Sequence, residues 1–278
     1  MSKVKGNLDI ALKTAEKVLS ECGTTPSVRF KLTDNNNPTI FESKVGGIPY
    51  MPKDFKVPVD GDGIQLRLLM QIRCSDVTGC DIFPKKGILQ FWISANEVWG
   101  MEIAGYKAGY RVIYYDTIDE TVNKNDISAK ISEMTEYEKE YFPVKGVFGV
   151  EFYPCTETIP TRSNEYQKLF CKYYNELSDE KINSLYDFPF DILNTILYSI
   201  DSSYGHKIGG SSDYCQFEPR EGEELEKYNF QLLQLSSDFK RHEQKIMWGD
   251  AGIGHFFINS EKLKNCDFSD IFYYADCC

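Results

Sequence analysis

Histidine, positive charge and long apolar runs are what this sequence lacks. It has three histidines, His206, His242 and His255, and its nine cysteines form no Cys-x-x-Cys pair. Zinc sites need three or four such ligands at short spacings, so no metal is expected, and no cofactor either. Basic residues number 31 against 42 acidic ones, a formal charge of −11, and they never form a run. That excludes a grip on nucleic acid or on an anionic membrane. No stretch reaches the ~20 apolar residues that span a bilayer. The first residues lead into an amphipathic helix rather than a signal peptide. A phosphate-binding Gly-x-x-x-x-Gly-Lys loop is missing, as is the Gly-x-Ser-x-Gly elbow of serine hydrolases.

What is present is globular in composition. Hydrophobic residues make up 42% of the 278 and aromatics 14%, too much for a disordered acidic chain. The length suits one large domain or two small ones. An odd, scattered set of nine cysteines reads as reduced thiols in a cytoplasmic protein. The pair Cys277-Cys278 resembles a twin prenylation site. Such anchors follow a flexible tail, whereas residues 271–276 read as a strand.

Along the chain, residues 7–21 place Leu8, Ile10, Leu12, Ala15, Val18 and Leu19 on one broad helical face, with Asn7 as N-cap and Gly23 as stop. Residues 27–32 alternate like a half-buried strand, and 45–116 supply short strands punctuated by glycine and proline. Residues 117–142 are polar and helical in pattern, and 147–152 form another strand. Helices follow near 163–175 and 178–200, the second with Ser178 as N-cap and a break at Pro189.

Residues 46–116 and 209–276 repeat the same events in order. Each block opens with Gly-Gly, at Gly46-Gly47 and Gly209-Gly210, and carries a strand glutamine 25 residues later, Gln71 or Gln234. Each then meets a Ser-Asp pair, at 75–76 and 237–238. A Gly-Ile strand start follows at 87–88 and 252–253, and an aromatic strand closes each block at 113–116 and 272–276. This predicts an α+β fold built from two related, mostly antiparallel β-rich units at about 45–116 and 208–276. Flanking helices and a helical insert at 117–207 complete it. Units of ~70 residues have little core of their own, so the whole chain, 1–278, is read as a single domain with merged or facing sheets.

Strict alternation puts Leu69, Gln71 and Arg73 on one face and Leu68, Met70 and Ile72 on the other. A glutamine at matching places has two readings. It satisfies irregular backbone, such as its own Gly-Gly loop, or it lines a shared cleft.

The densest chemistry is Ile246-Met247-Trp248-Gly249-Asp250-Ala251-Gly252-Ile253-Gly254-His255. Glycines there permit an anion-binding nest, and Asp250 can orient His255 for acid–base work. Against catalysis, His255 aligns with Gln90 of the first block, which suits a hydrogen-bonding role. Cys215 with His242 or His255 has the order of a cysteine hydrolase but no nucleophile motif. Glu218, Glu221, Glu223, Glu224 and Glu226 read as a solvated acidic loop. Tyr114-Tyr115 and Tyr273-Tyr274 read as strand residues with one ring inward and one outward.

These residues carry a family resemblance. Gly46-Gly47-Ile48-Pro49-Tyr50-Met51-Pro52, Leu69-Met70-Gln71-Ile72 and Gly87-Ile88-Leu89-Gln90-Phe91-Trp92-Ile93 are similar to motifs of the YwqG-like family. So are Gln216-Phe217-Glu218-Pro219-Arg220, Leu232-Leu233-Gln234-Leu235 and Ile246-Met247-Trp248-Gly249-Asp250-Ala251-Gly252. The resemblance covers about 40–276 and implies a mixed α+β fold in a cytoplasmic, largely bacterial protein. It implies no established activity, substrate or catalytic residue. An association of some members with toxin systems implies a protein-binding or immunity-like role. One departure is Ser211-Ser212, where the family pattern places a proline soon after the second Gly-Gly.

The expectation is therefore a non-catalytic cytoplasmic binding module. Its partner is a basic protein or toxin domain, not nucleic acid and not a membrane. The expected surface lies between the repeats and includes Trp248, Asp250, His255, Gln234, Gln71 and Gln90. The rival reading is a hydrolase or transferase using His255 and Asp250 in that cleft. A third is a structural subunit of an oligomer, marked by a self-complementary apolar patch.

Overall fold

The structure, a computed structural model, describes residues 3–103, 105–198, 204–216, 218–220, 222–240 and 243–277. His242, Glu221 and Cys278 lie outside the described residues. The first helix is α1 (Leu8–Cys22). Asn7 caps it by accepting from the Ile10 amide, and Gly23, at φ 65°, ends it. The face that packs is narrower than the sequence pattern suggests. Ala11, Ala15 and Val18 are buried, while Leu8 is 41% exposed.

Then come β1 (Thr24–Leu32), β2 (Lys44–Val45), β3 (Arg67–Arg73), β4 (Ile88–Ile93) and β5 (Tyr110–Tyr115). Helices α2 (Lys124–Ser128) and α3 (Glu136–Tyr141) follow. α3 opens with a capping box in which Thr135 and Glu138 bond each other's backbone. β6 (Phe148–Thr158) leads to α4 (Asn164–Leu177) and α5 (Phe190–Tyr198), the latter starting directly after Pro189. Ser178 is the C-cap of α4, not the N-cap of a following helix. The second half runs β7 (His206–Gly209), α6 (Glu223–Glu226), β8 (Phe230–Ser236), β9 (Asp238–Lys240) and β10 (Glu243–Ile246). It ends with β11 (Ile253–Ile258), α7 (Ser260–Lys264) and β12 (Ile271–Asp276).

Ten strands form one antiparallel sheet in the order β12-β11-β8-β7-β1-β6-β2-β3-β4-β5, and β9 and β10 form a separate ribbon. The insert is thus more than a connection. Its strand β6 pairs with β1 from Thr24↔Thr158 to Leu32↔Val150 and joins the two four-strand halves.

The sheet curls until it is nearly closed. Phe91 of β4 and Phe256 of β11 meet with ring centroids 4.9 Å apart, and the Tyr110 hydroxyl of β5 donates to the Ile271 carbonyl of β12 at 2.9 Å. Among the described residues no backbone ladder joins β5 to β12.

The inner face holds the main core, including Val28, Phe30, Met70, Phe91, Leu233 and Phe256. A second cluster lies outside the first half, around Tyr50, Met51, Trp92 and Tyr115. A third outside the second half is built on Tyr214, Tyr228 and Phe257. Helices α1, α4 and α5 pack their own core on Ala11, Val18, Phe170, Tyr174 and Ile196.

Strict alternation fails in β3 for a local reason. A bulge between Leu68 and Met70 lets Leu68 face outward opposite Trp92 while Leu69, Met70 and Ile72 all sit with the inner core. β8 has the same irregularity, with Gln231 opposite Phe257 and Leu232 and Leu233 both in the core.

Candidate functional site

The six residues singled out in the sequence do not share one surface. Gln71 and Gln90 lie fully buried beneath the outer face of the first half. Gln71 accepts from the Tyr50 amide at 2.7 Å and from Gln90 Nε2 at 2.8 Å, and it donates to the carbonyls of Ile40 and Glu42. Gln90 also donates to the Tyr50 carbonyl and accepts from the Trp92 indole. Gln234 and His255 are cross-strand neighbours on the outer face of the second half. Trp248 is buried in the core with its ring edge-on to Trp99, and Asp250 is exposed on the turn before β11.

His255 is sealed. It has no exposed surface, packs against the rings of Tyr214 and Phe257, and brings Nδ1 within 3.4 Å of Gln231 Oε1. Burial, and then the charges of Lys207 and Arg220, hold its pKa well below the ordinary histidine value. A neutral, enclosed imidazole without an approach for substrate does not suit acid–base work.

Positions 163 residues apart make the same bonds. The Asp213 amide donates to Gln234 Oε1 as the Tyr50 amide does to Gln71, and Gln234 donates to the Gly205 carbonyl as Gln71 does to Glu42. Each glutamine thereby ties down the loop after its own Gly-Gly. Lysines that the sequence reading passed over occupy the same scheme. Lys44 pairs with Gln71 across the ladder and Lys207 with Gln234, and each is about 1% exposed or less. Lys44 Nζ donates to the Thr39 carbonyl at 2.6 Å, and burial lowers its pKa to about 7. Lys207 is bound by Glu157 at 2.7 Å and by the Ser211 carbonyl. Their signal was legible: Lys44-Val45-Gly46-Gly47 and Lys207-Ile208-Gly209-Gly210.

The halves differ in what covers the outer face. Beside the first Gly-Gly an apolar cleft of about 500 Å³ is lined by Ile48, Leu68, Trp92 and Met134. Beside the second a cleft of about 200 Å³ is lined by Ser211, Ser212, Gln231 and Arg220. Where the first half sets Tyr50 edge-on to Tyr115, the second has Asp213 and Asp276.

Asp276 leads to the most distinctive cavity. A groove of about 480 Å³ runs along β12 at the sheet seam, walled by Trp99, Tyr110, Phe272, Tyr273 and Tyr274. Glu102 and Asp276 also line it, and none of its described lining residues is positively charged. Asp276 is only 4% exposed. Its Oδ2 accepts from the Gln216 amide, and its Oδ1 has no partner. Burial raises its pKa against the pull of the Gln216 and Cys215 amides, with the Asp213 carboxylate adding to the rise.

The family model for a domain of unknown function, DUF1963, matches residues 43–277. The chain belongs to this family. The DUF1963 match takes in both Lys-x-Gly-Gly loops, both buried glutamines and the whole β12 groove, and leaves out α1 and β1. No curated protein matches the chain. Among the described residues, no His/Cys/Asp/Glu group suits a metal ion, and no helix is long and apolar enough to cross a membrane.

Proposed function

We propose that this DUF1963 protein is a cytoplasmic, YwqG-like binding module for a basic protein, such as a toxin domain in an immunity-like pairing. The observation that carries this reading is an acidic aromatic groove: Glu102 and Asp276 line it with no cation among its described lining residues, and Asp276 is a buried carboxylate of which one oxygen lacks a hydrogen-bond partner. A carboxylate stripped of water is costly unless paired, and an incoming ammonium or guanidinium supplies the missing charge. Aromatic walls add cation–π attraction. The charge of −11 draws a basic partner toward the surface from a distance.

The matched bonds about Gln71 and Gln234 support descent of both halves from one duplicated unit. Under that history the second half lost the Tyr50–Tyr115 filling and acquired Asp213 and Asp276 in its place.

The test is selection from a random-peptide display library on the folded protein, followed by titration of the winners. Basic peptides are expected to dominate. Asp276→Asn keeps an acceptor for the Gln216 amide and removes the charge. It should weaken binding about 10- to 100-fold, the worth of a charge-assisted hydrogen bond. Winners without basic residues, or winners indifferent to Asp276→Asn, would sink the reading.

A further inference from the structure

We propose that the apolar cleft beside the first Gly-Gly loop binds an amphipathic carboxylate, a small molecule carrying one acid group on an alkyl body. This site is separate from the groove along β12, and the two linings share no residue. The cleft measures about 500 Å³, within the range of small-ligand pockets. Of its walls, Leu68, Trp92 and Phe142 are buried. The Trp92 indole N–H is spent on Gln90 Oε1 at 3.1 Å, so that ring offers the cleft only apolar surface. Ile48, Met134 and Val147 line it half-buried, which leaves apolar surface within reach of solvent. Uncovered apolar surface of this kind marks a binding groove.

Charge decides which apolar molecule fits. Arg67, Lys139 and Lys145 line the cleft, and no carboxylate is among its described lining residues, on a chain whose net charge is −11. Arg67 is held by Glu138 at 2.7 Å, and Lys139 by Glu136 at 2.7 Å. Lys145 makes no ion pair among the described residues. Its ammonium donates to the carbonyls of Lys139 and Glu140 at 2.8 and 3.0 Å, which leaves one of three protons for a ligand. Lys145 is also exposed, so a ligand reaches it from solvent. A carboxylate seated there gains an ion pair at the rim while its alkyl chain leaves water. The matching cleft of the second half, about 200 Å³, has Glu165 and Glu218 among its lining residues. It offers such a ligand neither the room nor the charge.

The probes are decanoate, decanol and decyltrimethylammonium, titrated onto the whole protein by calorimetry. Decanoate is expected to bind at one site and at least about 3-fold more tightly than decanol, with the trimethylammonium weakest. Added salt should narrow the difference. Lys145→Gln keeps a donor for the two carbonyls and removes the charge. It should weaken decanoate about 3- to 5-fold, the worth of an exposed ion pair, and leave decanol unchanged. Met134→Glu sets a carboxylate on the cleft wall and should weaken decanoate by about 10-fold or more with the fold intact. Should that variant fail to fold, Ile48→Glu makes the same test from the Gly-Gly loop. Decanol binding as tightly as decanoate, a preference for the cationic chain, or no binding of any probe would overturn the proposal. So would decanoate binding that Lys145→Gln and the folded glutamate variant leave unchanged.

Discussion

Gln90 Nε2 donates to Gln71 Oε1 over 2.8 Å, so two strand glutamines share one buried hydrogen bond beneath the first Gly-Gly loop. Gln71 makes four bonds in all, and its loss strands the Tyr50 amide and two carbonyls and takes one of two acceptors from Gln90 Nε2. Each buried polar group left unpaired costs about 1–3 kcal/mol. Gln71→Ala is therefore expected to cost about 3 kcal/mol or more in urea unfolding. Gln234→Ala should cost less, about 1–2 kcal/mol, because the Gly205 carbonyl keeps the Ser236 hydroxyl as a partner. Equal losses in the two variants would contradict this account of the pair.

Lys44 gives a stability signature above neutral pH. Its folded pKa lies at about 7, below the ordinary 10.5, because burial disfavours the charged form. Between those values the unfolded chain holds a proton that the folded chain has released, so stability rises with pH. The slope approaches about 1.4 kcal/mol per pH unit, the one-proton limit. Lys44→Met should flatten it when unfolding is followed from pH 7 to 9.5. A variant with the wild-type slope would show that Lys44 stays charged in the fold.

Much of the fold was legible in the sequence, because turn glycines and buried glutamines recur at fixed spacing. The strands around Gln71, Gln90, Gln234 and His255 are where the pattern puts them. Two things were not legible. Periodicity assumes an unbroken pleat, and the bulge between Leu68 and Met70 puts Leu69 and Met70 on the same inner face. The spread of the candidate site residues was not legible for a related reason. Proximity in sequence gathered Trp248, Asp250 and His255, yet one turn and one strand carry them to the core, the solvent and the far face of the sheet. Asp276 carries no sequence signal, because a lone acid at a strand end has no motif; only its burial and an oxygen without a hydrogen-bond partner mark it.

His255 predicts acid sensitivity. Its folded pKa is well below 6.5, so as pH falls through 6.5 the unfolded chain takes up a proton that the folded chain refuses. Stability is expected to fall between pH 7 and 5. His255→Gln, which copies the residue at the matching position in the first half, should remove that component. Thermal melts of both proteins across the range provide the check, and parallel curves would show that His255 titrates normally.

Under the proposed function, Asp276 makes ligand binding rise with pH as an ordinary surface acid would, but over a higher pH range. Burial raises its pKa in the free protein, so on acidification it becomes neutral earlier than an exposed aspartate. A bound cation favours the carboxylate and pulls the pKa down, and linkage then requires that binding release a proton wherever the free group is protonated. Affinity for a selected basic peptide should therefore rise with pH through the raised pKa of Asp276 and level off once the free carboxylate is ionised. Peptide lysines stay charged throughout, since their pKa is near 10.4. In buffers of different ionisation enthalpy, calorimetry should register proton release on the rising limb and none on the plateau. Asp276→Asn should bind more weakly on the plateau, with little pH dependence and no proton release. A wild-type affinity independent of pH, or a pH dependence that survives in Asp276→Asn, would remove Asp276 from the binding site.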